Sequence, residues 1–541
     1  MQYCDQAPFK RDQMVLFSPT LDSRIPEDHP VRLFDEILQG CDWSAWEAEY
    51  HGRRGRPPIP PQVLSGVILY GLSRNVRSSR QLEYLVEHNV DFMWLVEGRT
   101  IDHSTICEFR TKFREPLKNL FQQMGRIALN MGMARLNEVA LDGTRVKANN
   151  GRGETLTPDG IETRLAALDQ ELEQMFQEAE EADNRERHLF DTGESSTELP
   201  RDLADAKARQ AALKEALEKA KAAEKSRRRD GIDPKKNPPQ VPTTDPDSRV
   251  LPNKEGGYAP NYTPIATTDV HGGYILDTDV IASTCEHVTT LSSMDRIEEN
   301  FGEFPDAALA DGAHATGGNM AGMEERGIEF FSHVPSPQTN GPNPACREEL
   351  SEPIKESEKE QLPRNPQTQK FDKSAFVYDE AEDVYYCPQG QTLHYKEKKS
   401  KVDAEGQRTY FKVYRCDTAT CAACPWSAEC RTKQSKRGRS ISRDEHAERR
   451  AQFAERMARP ESKERYKKRF HAAETPFGIL KRIMNLRQFL LRGLAKVKTE
   501  WLWACTAFNL AKLVRDIGKL LRAIRPPVGR TRDGQSSPRR A

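Results

Sequence analysis

A single carboxylate set among basic residues marks the C-terminal part of the chain. If residues 471–481 form a helix, positions seven apart return to the same face, so Glu474 and Lys481 project together. Pro476 lies between them, and a helix accepts proline only in its first turn or at a kink. Most Glu–Lys pairs on helices are solvated surface charges. A metal-binding carboxylate beside a lysine that holds phosphate instead suits an enzyme acting on nucleic acid.

Two further acids stand at the ends of apolar runs. Asp142 ends the run 139–142, Asp311 ends the run 307–311, and glycine follows each acid. Such runs are typical of buried strands, and the glycine permits close approach of another segment, although Asp-Gly also occurs as a simple turn. Hard divalent cations take oxygen ligands. Two strand-end acids and a downstream helical Glu therefore fit a two-metal phosphoryl-transfer site.

Three other acids compete for the role of metal ligand. Residues 262–269 and 273–282 predict a β-hairpin that turns around residues 270–273. This hairpin carries Asp269, Asp277 and Asp279. A turn and polar alternation explain these three acids, so they rank second.

Together, these segments resemble the DDE transposases of bacterial insertion sequences. The resemblance extends to the Asp-Pro-Asp-Ser-Arg motif at 245–249, to the basic residues 466–469 and to Asn509 in the closing helix. It covers nearly the whole chain, including the N-terminal segment 17–113. One departure is visible, because Gly-Ala-His follows Asp311 where family members often carry Ala-Gly-Tyr.

The resemblance implies an RNase H-like α/β catalytic core in which Asp142, Asp311 and Glu474 bind Mg²⁺ or Mn²⁺. It also implies that Arg469 and Lys481 contact DNA phosphate. The expected activity is cleavage of DNA at transposon ends and strand transfer into target DNA. Two alternatives stay open: a non-catalytic DNA-binding protein or repressor derived from a transposase, and an RNase H-like nuclease without strand transfer.

Composition agrees with a polar protein of more than one domain. The 541 residues are 36% hydrophobic and 30% charged, and 82 basic residues balance 82 acidic ones. A DNA-binding protein is more often basic overall, so a phosphate-binding surface requires segregated charge. Lys and Arg do concentrate at 431–441, at 463–498 and in the tail. No apolar run approaches the ~18–20 residues of a membrane span. We expect a cytoplasmic, nucleoid-associated protein.

The expected organisation follows the chain in eight segments. These are a helical N-terminal DNA-binding domain (1–135), the first part of the core (136–157), an inserted helical hairpin (158–229), a linker (230–254), the continued core (255–335), an insertion with a cysteine-rich, zinc-ribbon-like segment (336–445), the core completed by the Glu-bearing helix (446–520) and a basic flexible tail (521–541).

Two helical segments suggest functions outside the core. Thr105 and Glu108 have the spacing of a capping box, although Asp102 or Ser104 also suits the cap. The following helix bears Arg110 and Arg114 and is compatible with a DNA-binding helix-turn-helix, or with a bundle that only supports the core. The hairpin 158–229 is a charged interaction arm, and the resemblance makes homo-oligomerisation through it plausible.

Five of the eleven cysteines fall between 387 and 430. Cys387 opens a sequence similar to half of a zinc knuckle, and Cys421, Cys424 and Cys430 supply three more thiols. Four thiolates from these segments suffice for a tetrahedral structural zinc site. Cys416 is then spare, or it replaces Cys421. Reduced, buried cysteines without metal are the alternative.

Overall fold

The computed structural model describes residues 20–50, 58–151, 153–189, 201–229, 233–253, 256–334, 342–402, 408–431 and 436–524. These residues form two compact units. The first unit comprises the chain up to Asp306 and from Lys468 onward, and the second comprises residues 307–467. Most of the expected tail, residues 525–541, lies outside the described residues, and so does Cys4.

Among the residues that the structure describes, eight helices open the first unit. Pro30 occupies the first turn of its helix, where its missing N–H costs nothing, and Asp102 caps another helix by accepting a hydrogen bond from the Thr105 backbone N–H at 2.9 Å. The cap is therefore Asp102, and the Thr105–Glu108 capping box is wrong. The helices are α1 (Leu21–Arg24), α2 (Pro30–Gln39), α3 (Ser44–Tyr50), α4 (Pro61–Ser73), α5 (Ser79–His88), α6 (Val90–Leu95), α7 (His103–Lys112) and α8 (Arg114–Asn130).

A helical hairpin follows the first strands of this unit. Its two long helices run antiparallel, because Asp169 meets Gln210 and Glu162 meets Lys221. Their apolar stripes enclose a separate small core that includes Ile161, Leu168 and Ala216. The elements up to this point are β1 (Glu138–Gly143), β2 (Val146–Lys147), β3 (Thr155–Leu156), α9 (Pro158–Leu189) and α10 (Arg201–Arg229).

An antiparallel sheet built around one long strand forms the centre of the first unit. β1 pairs with this strand from Val139↔Asp269 to Gly143↔Ile265. The segment expected to be a linker (230–254) contains two short strands. One of them pairs with the long strand, so this segment is part of the fold. The remaining elements are β4 (Val241–Pro242), β5 (Arg249–Pro252), the long strand β6 (Tyr258–Asp269), its other antiparallel neighbour β7 (Ile275–Ile281) and α11 (Thr290–Phe301).

The second unit contains two β arrangements. The first is a parallel pair, β8 (Ala307–Ala310) and β9 (Glu329–Ser332), joined by α12 (Gly317–Glu325). The second is a five-stranded antiparallel sheet in chain order, with a core that includes Phe371, Tyr414 and Trp426. Its strands and the nearby helices are β10 (Val377–Asp379), β11 (Val384–Tyr386), β12 (Thr392–Val402), β13 (Arg408–Arg415), α13 (Thr418–Ala423), α14 (Ser427–Cys430), β14 (Ser440–Asp444) and α15 (Ala447–Ala458).

Two long helices complete the chain, α16 (Pro460–Arg482) and α17 (Leu494–Ile524). α17 is buried over much of its length and packs against α2, α4, α8 and β7. The ring of Trp503 packs against the rings of Trp46 and Phe109. Asn509 holds the edge strand β7, because its side-chain amide accepts from the Ile275 N–H at 3.0 Å and donates to the Ile275 carbonyl at 2.7 Å. α17 thus joins the helical domain and the sheet into one core.

Candidate functional site

Strand β1 carries Asp142 at its end. All six of its residues are buried, which explains the apolar run before the acid. A Cβ on Gly143 would come within 2.2 Å of the Glu286 carboxylate, so a larger residue there would displace the Glu286 side chain. Glu286 accepts a hydrogen bond from Arg145 at 2.7 Å. The sequence indicated close approach at Gly143, whereas the acid that makes it, Glu286, was not singled out by any motif.

Asp142 is paired with Arg469 of helix α16. The Asp142 Oδ1 and Arg469 Nη2 atoms are 3.1 Å apart, and the two side chains are only 10% and 8% exposed. The same carboxylate oxygen accepts the Gly143 N–H at 2.9 Å. The buried Nε of Arg469 has no hydrogen-bond partner among the described residues. The acid therefore lies in a nearly dry site whose charge is balanced by one guanidinium.

A second cation of α16 reaches the same end of β1. Lys481 Nζ donates to Thr144 Oγ1 at 2.6 Å. Arg469 and Lys481 are twelve residues apart, or about 18 Å along the helix. Glu474 lies between these two anchor points and, being seven residues before Lys481, shares its face. α16 is one helix with Pro476 inside it, so the expected common face of Glu474 and Lys481 is present.

The environment of Glu474 differs from that of Asp142. Glu474 is exposed, and it makes no hydrogen bond or ion pair with any residue that the structure describes. An exposed carboxylate is solvated by water and needs no partner within the protein. Glu474 is consequently available to a cation that arrives from solution.

Asp311 belongs to the second unit and follows β8. It is half-buried, and its Oδ1 accepts the Ala313 N–H at 2.8 Å, so it caps a single 3₁₀ turn. A Cβ on Gly312 would come within 2.9 Å of the His333 carbonyl oxygen. The strand, the acid and the close approach at glycine thus occur as the sequence pattern indicated.

The three rival acids each have a structural partner. Asp269 accepts the Gly272 and Tyr274 N–H groups at 2.6 and 2.7 Å and forms the β6–β7 turn, while burial raises its pKa. Asp277 receives two hydrogen bonds from Arg296, and Asp279 pairs with Lys498 at 2.7 Å. These contacts agree with ranking the three acids second.

The Asp-Pro-Asp motif attaches to the start of α17. Asp245 accepts hydrogen bonds from the Tyr262 hydroxyl at 2.7 Å and the Gly493 N–H at 3.0 Å, and Asp247 accepts the Leu494 N–H at 2.8 Å. Burial raises the pKa of Asp245. Carboxylates are favourable at a helix N-terminus. The motif therefore positions the closing helix, a role that the sequence alone did not assign.

The expected DNA contacts divide into exposed and enclosed residues. Arg114 is exposed at the start of α8. Arg110 is 8% exposed and donates to the Arg77 carbonyl at 2.6 Å, so it points into the helical bundle. Arg469 is enclosed beside Asp142. This geometry favours the supporting-bundle alternative for α7, and the assignment of DNA contacts to Arg110, Arg114, Arg469 and Lys481 stays a prediction.

Five thiols line one small cavity in the second unit. The cavity measures about 30 Å³ and is bordered by Cys387, Cys416, Cys421, Cys424 and Cys430. The Gln391 N–H donates to the Cys387 sulfur at 3.3 Å, and the Arg439 N–H donates to the Cys421 sulfur at 3.4 Å. Backbone donors of this kind stabilise thiolates.

Burial makes three of the five thiols of this cavity harder to ionise. Burial raises the pKa of Cys430 and of Cys416 to about 12, and it also raises the pKa of Cys387, with Cys424 and Cys421 as further causes. No group of three or more His, Cys, Asp or Glu side chains within the described ranges has the arrangement of a metal site. The cavity thus brings together the five clustered cysteines, among them the four expected zinc ligands.

The chain matches two families of transposase sequences. The family described as Transposase DDE domain matches residues 386–514, and the family described as Transposase domain (DUF772) matches residues 19–112. These matches support an insertion-sequence DDE transposase, in agreement with the resemblance. The DDE match includes Glu474 and the five clustered cysteines, whereas Asp142 and Asp311 lie outside both matches.

One solved structure aligns with most of the chain. The cryo-EM structure of a piggyBac transposase synaptic complex with hairpin DNA aligns over 92% of this chain and 83% of that chain, at 9% identity and a TM-score of 0.28. A TM-score of 0.28 is too low to show a shared fold. No curated protein matches the chain. No helix in the described part of the chain is long and apolar enough to cross a membrane.

The buried Asp142–Arg469 pair leads to a stability prediction. We expect Arg469→Ala to lower the free energy of unfolding by about 3–5 kcal/mol, because Asp142 is left buried without its counter-charge. Lys467→Ala is the matched control, since Lys467 lies on the same helix and pairs with Glu464, and both of these side chains are largely exposed. It should cost less than about 1 kcal/mol. Equal losses for the two variants in urea unfolding would refute the energetic role of the pair.

Proposed function

We propose that this protein is an active DDE transposase that cuts DNA at the ends of its element and joins the freed ends to target DNA. The observation that carries the proposal is the attachment of the Glu474-bearing helix to the end of β1 through Arg469–Asp142 and Lys481–Thr144. One strand-end acid and one helical acid are thereby held in the same unit. The family matches support the same activity.

The core is proposed to be RNase H-like. Three antiparallel strands, β1, β6 and β7, are followed by helix α11, strand β8, helix α12 and a parallel strand β9. This succession is the one expected of such a core, with the first and fourth strands ending in the two aspartates. Insertion of the helical hairpin between β1 and β6 leaves the succession intact.

The chemistry of the donors fits a hard divalent cation. Asp142, Asp311 and Glu474 would hold Mg²⁺ or Mn²⁺, because these ions prefer carboxylate oxygens. Such ions, when bound, activate the attacking oxygen and stabilise the leaving one. In the first step the attack of water on phosphorus breaks the P–O bond and releases a 3′-hydroxyl. In the second step that hydroxyl attacks a target phosphorus in line, which forms a new P–O bond and breaks the target's own P–O3′ bond, so that the target strand leaves with a free 3′-hydroxyl.

The two cations of α16 take different parts in this scheme. Arg469 balances the charge of Asp142 in the dry site, and its buried Nε lacks an acceptor among the described residues, so it suits an incoming phosphate oxygen. Lys481 lies on the Glu474 face, where an ammonium group supplies a point charge for phosphate. Arg469 thus holds the acid in place, while Lys481 positions the substrate.

The proposed setting is DNA in the cytoplasm, at the nucleoid. The partners are the two transposon ends and target DNA, with no membrane involved. Two ends must be held together, so we place a homo-oligomer on DNA and assign its contacts to the exposed charged surface of the α9–α10 hairpin. The hairpin has its own apolar core, which leaves its outer surface free for such contacts.

A structural zinc ion is proposed for the cysteine cavity. Cys387, Cys421, Cys424 and Cys430 would hold it, with Cys416 as the alternative fourth ligand. Two backbone N–H groups already point at the sulfurs of Cys387 and Cys421, and a bound cation would stabilise the thiolates of Cys387 and Cys430, whose pKa values burial raises. This ion would stabilise the fold of the second unit and take no part in DNA cleavage.

Incubation of the purified protein with DNA that carries the element's ends tests the proposed activity. We expect 3′-hydroxyl ends and joined products in Mg²⁺ or Mn²⁺ and neither product in EDTA, because the acids alone cannot offset the charge that develops on phosphate. Calcium is a useful control, since it is larger and more flexibly coordinated. Products that form equally well in EDTA would refute a metal-dependent transposase.

The products of the same assay separate the alternatives. Cleavage without joined products would indicate an RNase H-like nuclease. Binding of the ends without cleavage in any metal would indicate a non-catalytic repressor. The presence of all three acids in the sequence favours the catalytic reading over the repressor.

A further inference from the structure

Strands β12 and β13 of the second unit form a ribbon that extends beyond its neighbours. β12 pairs with β13 from His394↔Arg415 to Val402↔Arg408, with a bulge between Tyr395 and Glu397. β11 covers β12 only at 392–393, and β14 covers β13 only as far as Phe411. The distal part is therefore two-stranded with both faces open. An isolated two-stranded ribbon is at best marginally stable in water, so a bound partner would stabilise this distal part.

One face of this ribbon is basic and lacks acids. Directly opposed residues share a face, and every residue on this face is exposed. We call it the basic face, and its members are Lys398, Ser400, Val402, Arg408, Tyr410 and Lys412. The opposite face differs, because its Glu397 pairs with Lys399 at 3.1 Å and its Val413 is buried.

The arrangement of the basic face is costly in the absence of an anion. Lys398 stands directly opposite Lys412, and like charges at opposed positions destabilise a sheet. Lys412 has one acid nearby, Asp383 at 3.1 Å, and Lys398 lies 4.6 Å from the centre of the Tyr410 ring. Arg408 forms no ion pair with the residues that the structure describes. A polyanion bound across the face would relieve this repulsion.

We infer that the basic face of the ribbon is a docking surface for duplex DNA. The major groove admits a two-stranded β-ribbon, and residues 398–402 of the basic face extend over about 16 Å, which matches about five base pairs. Lys398, Arg408 and Lys412 contact phosphates, and the exposed Tyr410 lies among them. The inference rests on the proposed function only in taking DNA as the partner. None of the residues of the basic face is assigned to catalysis.

A pair of matched double variants of the full chain tests this surface. Lys398→Gln/Arg408→Gln removes two cations from the basic face, and Lys399→Gln/Lys401→Gln removes two from the opposite face of the same ribbon. Binding to a random-sequence 20-base-pair duplex is measured in EDTA across a range of salt concentrations. For the basic-face variant we expect about tenfold weaker binding and a log–log salt slope smaller by about 2. The opposite-face variant should change binding by less than about twofold.

Several outcomes would overturn the inference. Equal losses for both variants would mean that net charge alone matters, and no loss for the basic-face variant would mean that DNA docks elsewhere. Unchanged DNA binding with weaker binding to polyglutamate would assign the face to an acidic protein. Thermal melting of both variants checks folding. The assay needs no catalysis, so failure of the cleavage experiment and failure of this one are distinguishable.

Discussion

Asp142→Asn, Asp311→Asn and Glu474→Gln should each abolish DNA cleavage and strand transfer together. The substitutions keep the shape of the side chain and remove the charge that holds a divalent cation. A bound metal supplies several kcal/mol of transition-state stabilisation, so a loss of about 10³-fold or more in cleavage rate is expected. DNA binding, measured by titration in EDTA, should persist, because basic residues elsewhere provide it. Lys481→Ala should give a milder defect, since Lys481 positions phosphate.

Asp279→Asn is the matched control for these variants. Asp279 is partly exposed, as Asp311 is, and it already pairs with Lys498 and accepts a hydrogen bond from the Val280 N–H. It should retain activity. If Asp311→Asn cuts DNA normally and Asp279→Asn is inactive, the second carboxylate has been assigned to the wrong residue. Asp142→Asn also weakens the pairing with Arg469, so its folding must be verified separately.

Cys424→Ser should remove a bound zinc ion and destabilise the second unit. Protein purified without chelator is expected to contain about one zinc per chain, as in four-thiolate structural sites. The variant should contain none, and its thermal transition should fall by about 5–10 °C, because the metal contributes directly to folding. Metal analysis and calorimetry provide the two measurements. The serine variant of Cys416 distinguishes the alternative ligand sets, since it keeps the zinc only if Cys416 is spare.

The control for the zinc prediction is Cys346→Ser. Cys346 lies in the same unit, is exposed and is outside the thiol cavity. Its variant should retain both zinc and thermal stability. If metal-free wild-type protein melts at the same temperature as zinc-treated protein, the predicted zinc site is ruled out. The cavity would then be a cluster of reduced, buried thiols.

Local patterns predicted much of the framework. Apolar runs that end in Asp-Gly gave β1 and β8, because a buried strand needs apolar residues and close approach needs glycine. The spacing of seven residues predicted that Glu474 and Lys481 share one face of a helix. α16 remains helical through Pro476, as this prediction requires. The helical stripes of 158–229 gave two long helices that pack together, because each stripe must be covered.

The remaining features depend on contacts between distant parts of the chain. No local pattern shows that Arg469 meets Asp142, more than 300 positions earlier, or that Glu286 fills the space beside Gly143. Arg110 was expected at DNA because arginines on short helices often contact it, yet α17 and α4 enclose its helix. The basic ribbon was missed because its charges alternate with other residues, so only strand pairing brings them onto one face.

The paired strands at the base of the α9–α10 hairpin have a consequence for how this chain can vary. β3 and β4 are hydrogen-bonded neighbours, with Thr155 opposite Pro242 and Leu156 opposite Val241, so the chain leaves and re-enters the core at one point. A change in the length of the two helices would be absorbed beyond that point. Lineages of this transposase are therefore free to lengthen, shorten or exchange the arm while the spacing between β1 and β6 is preserved.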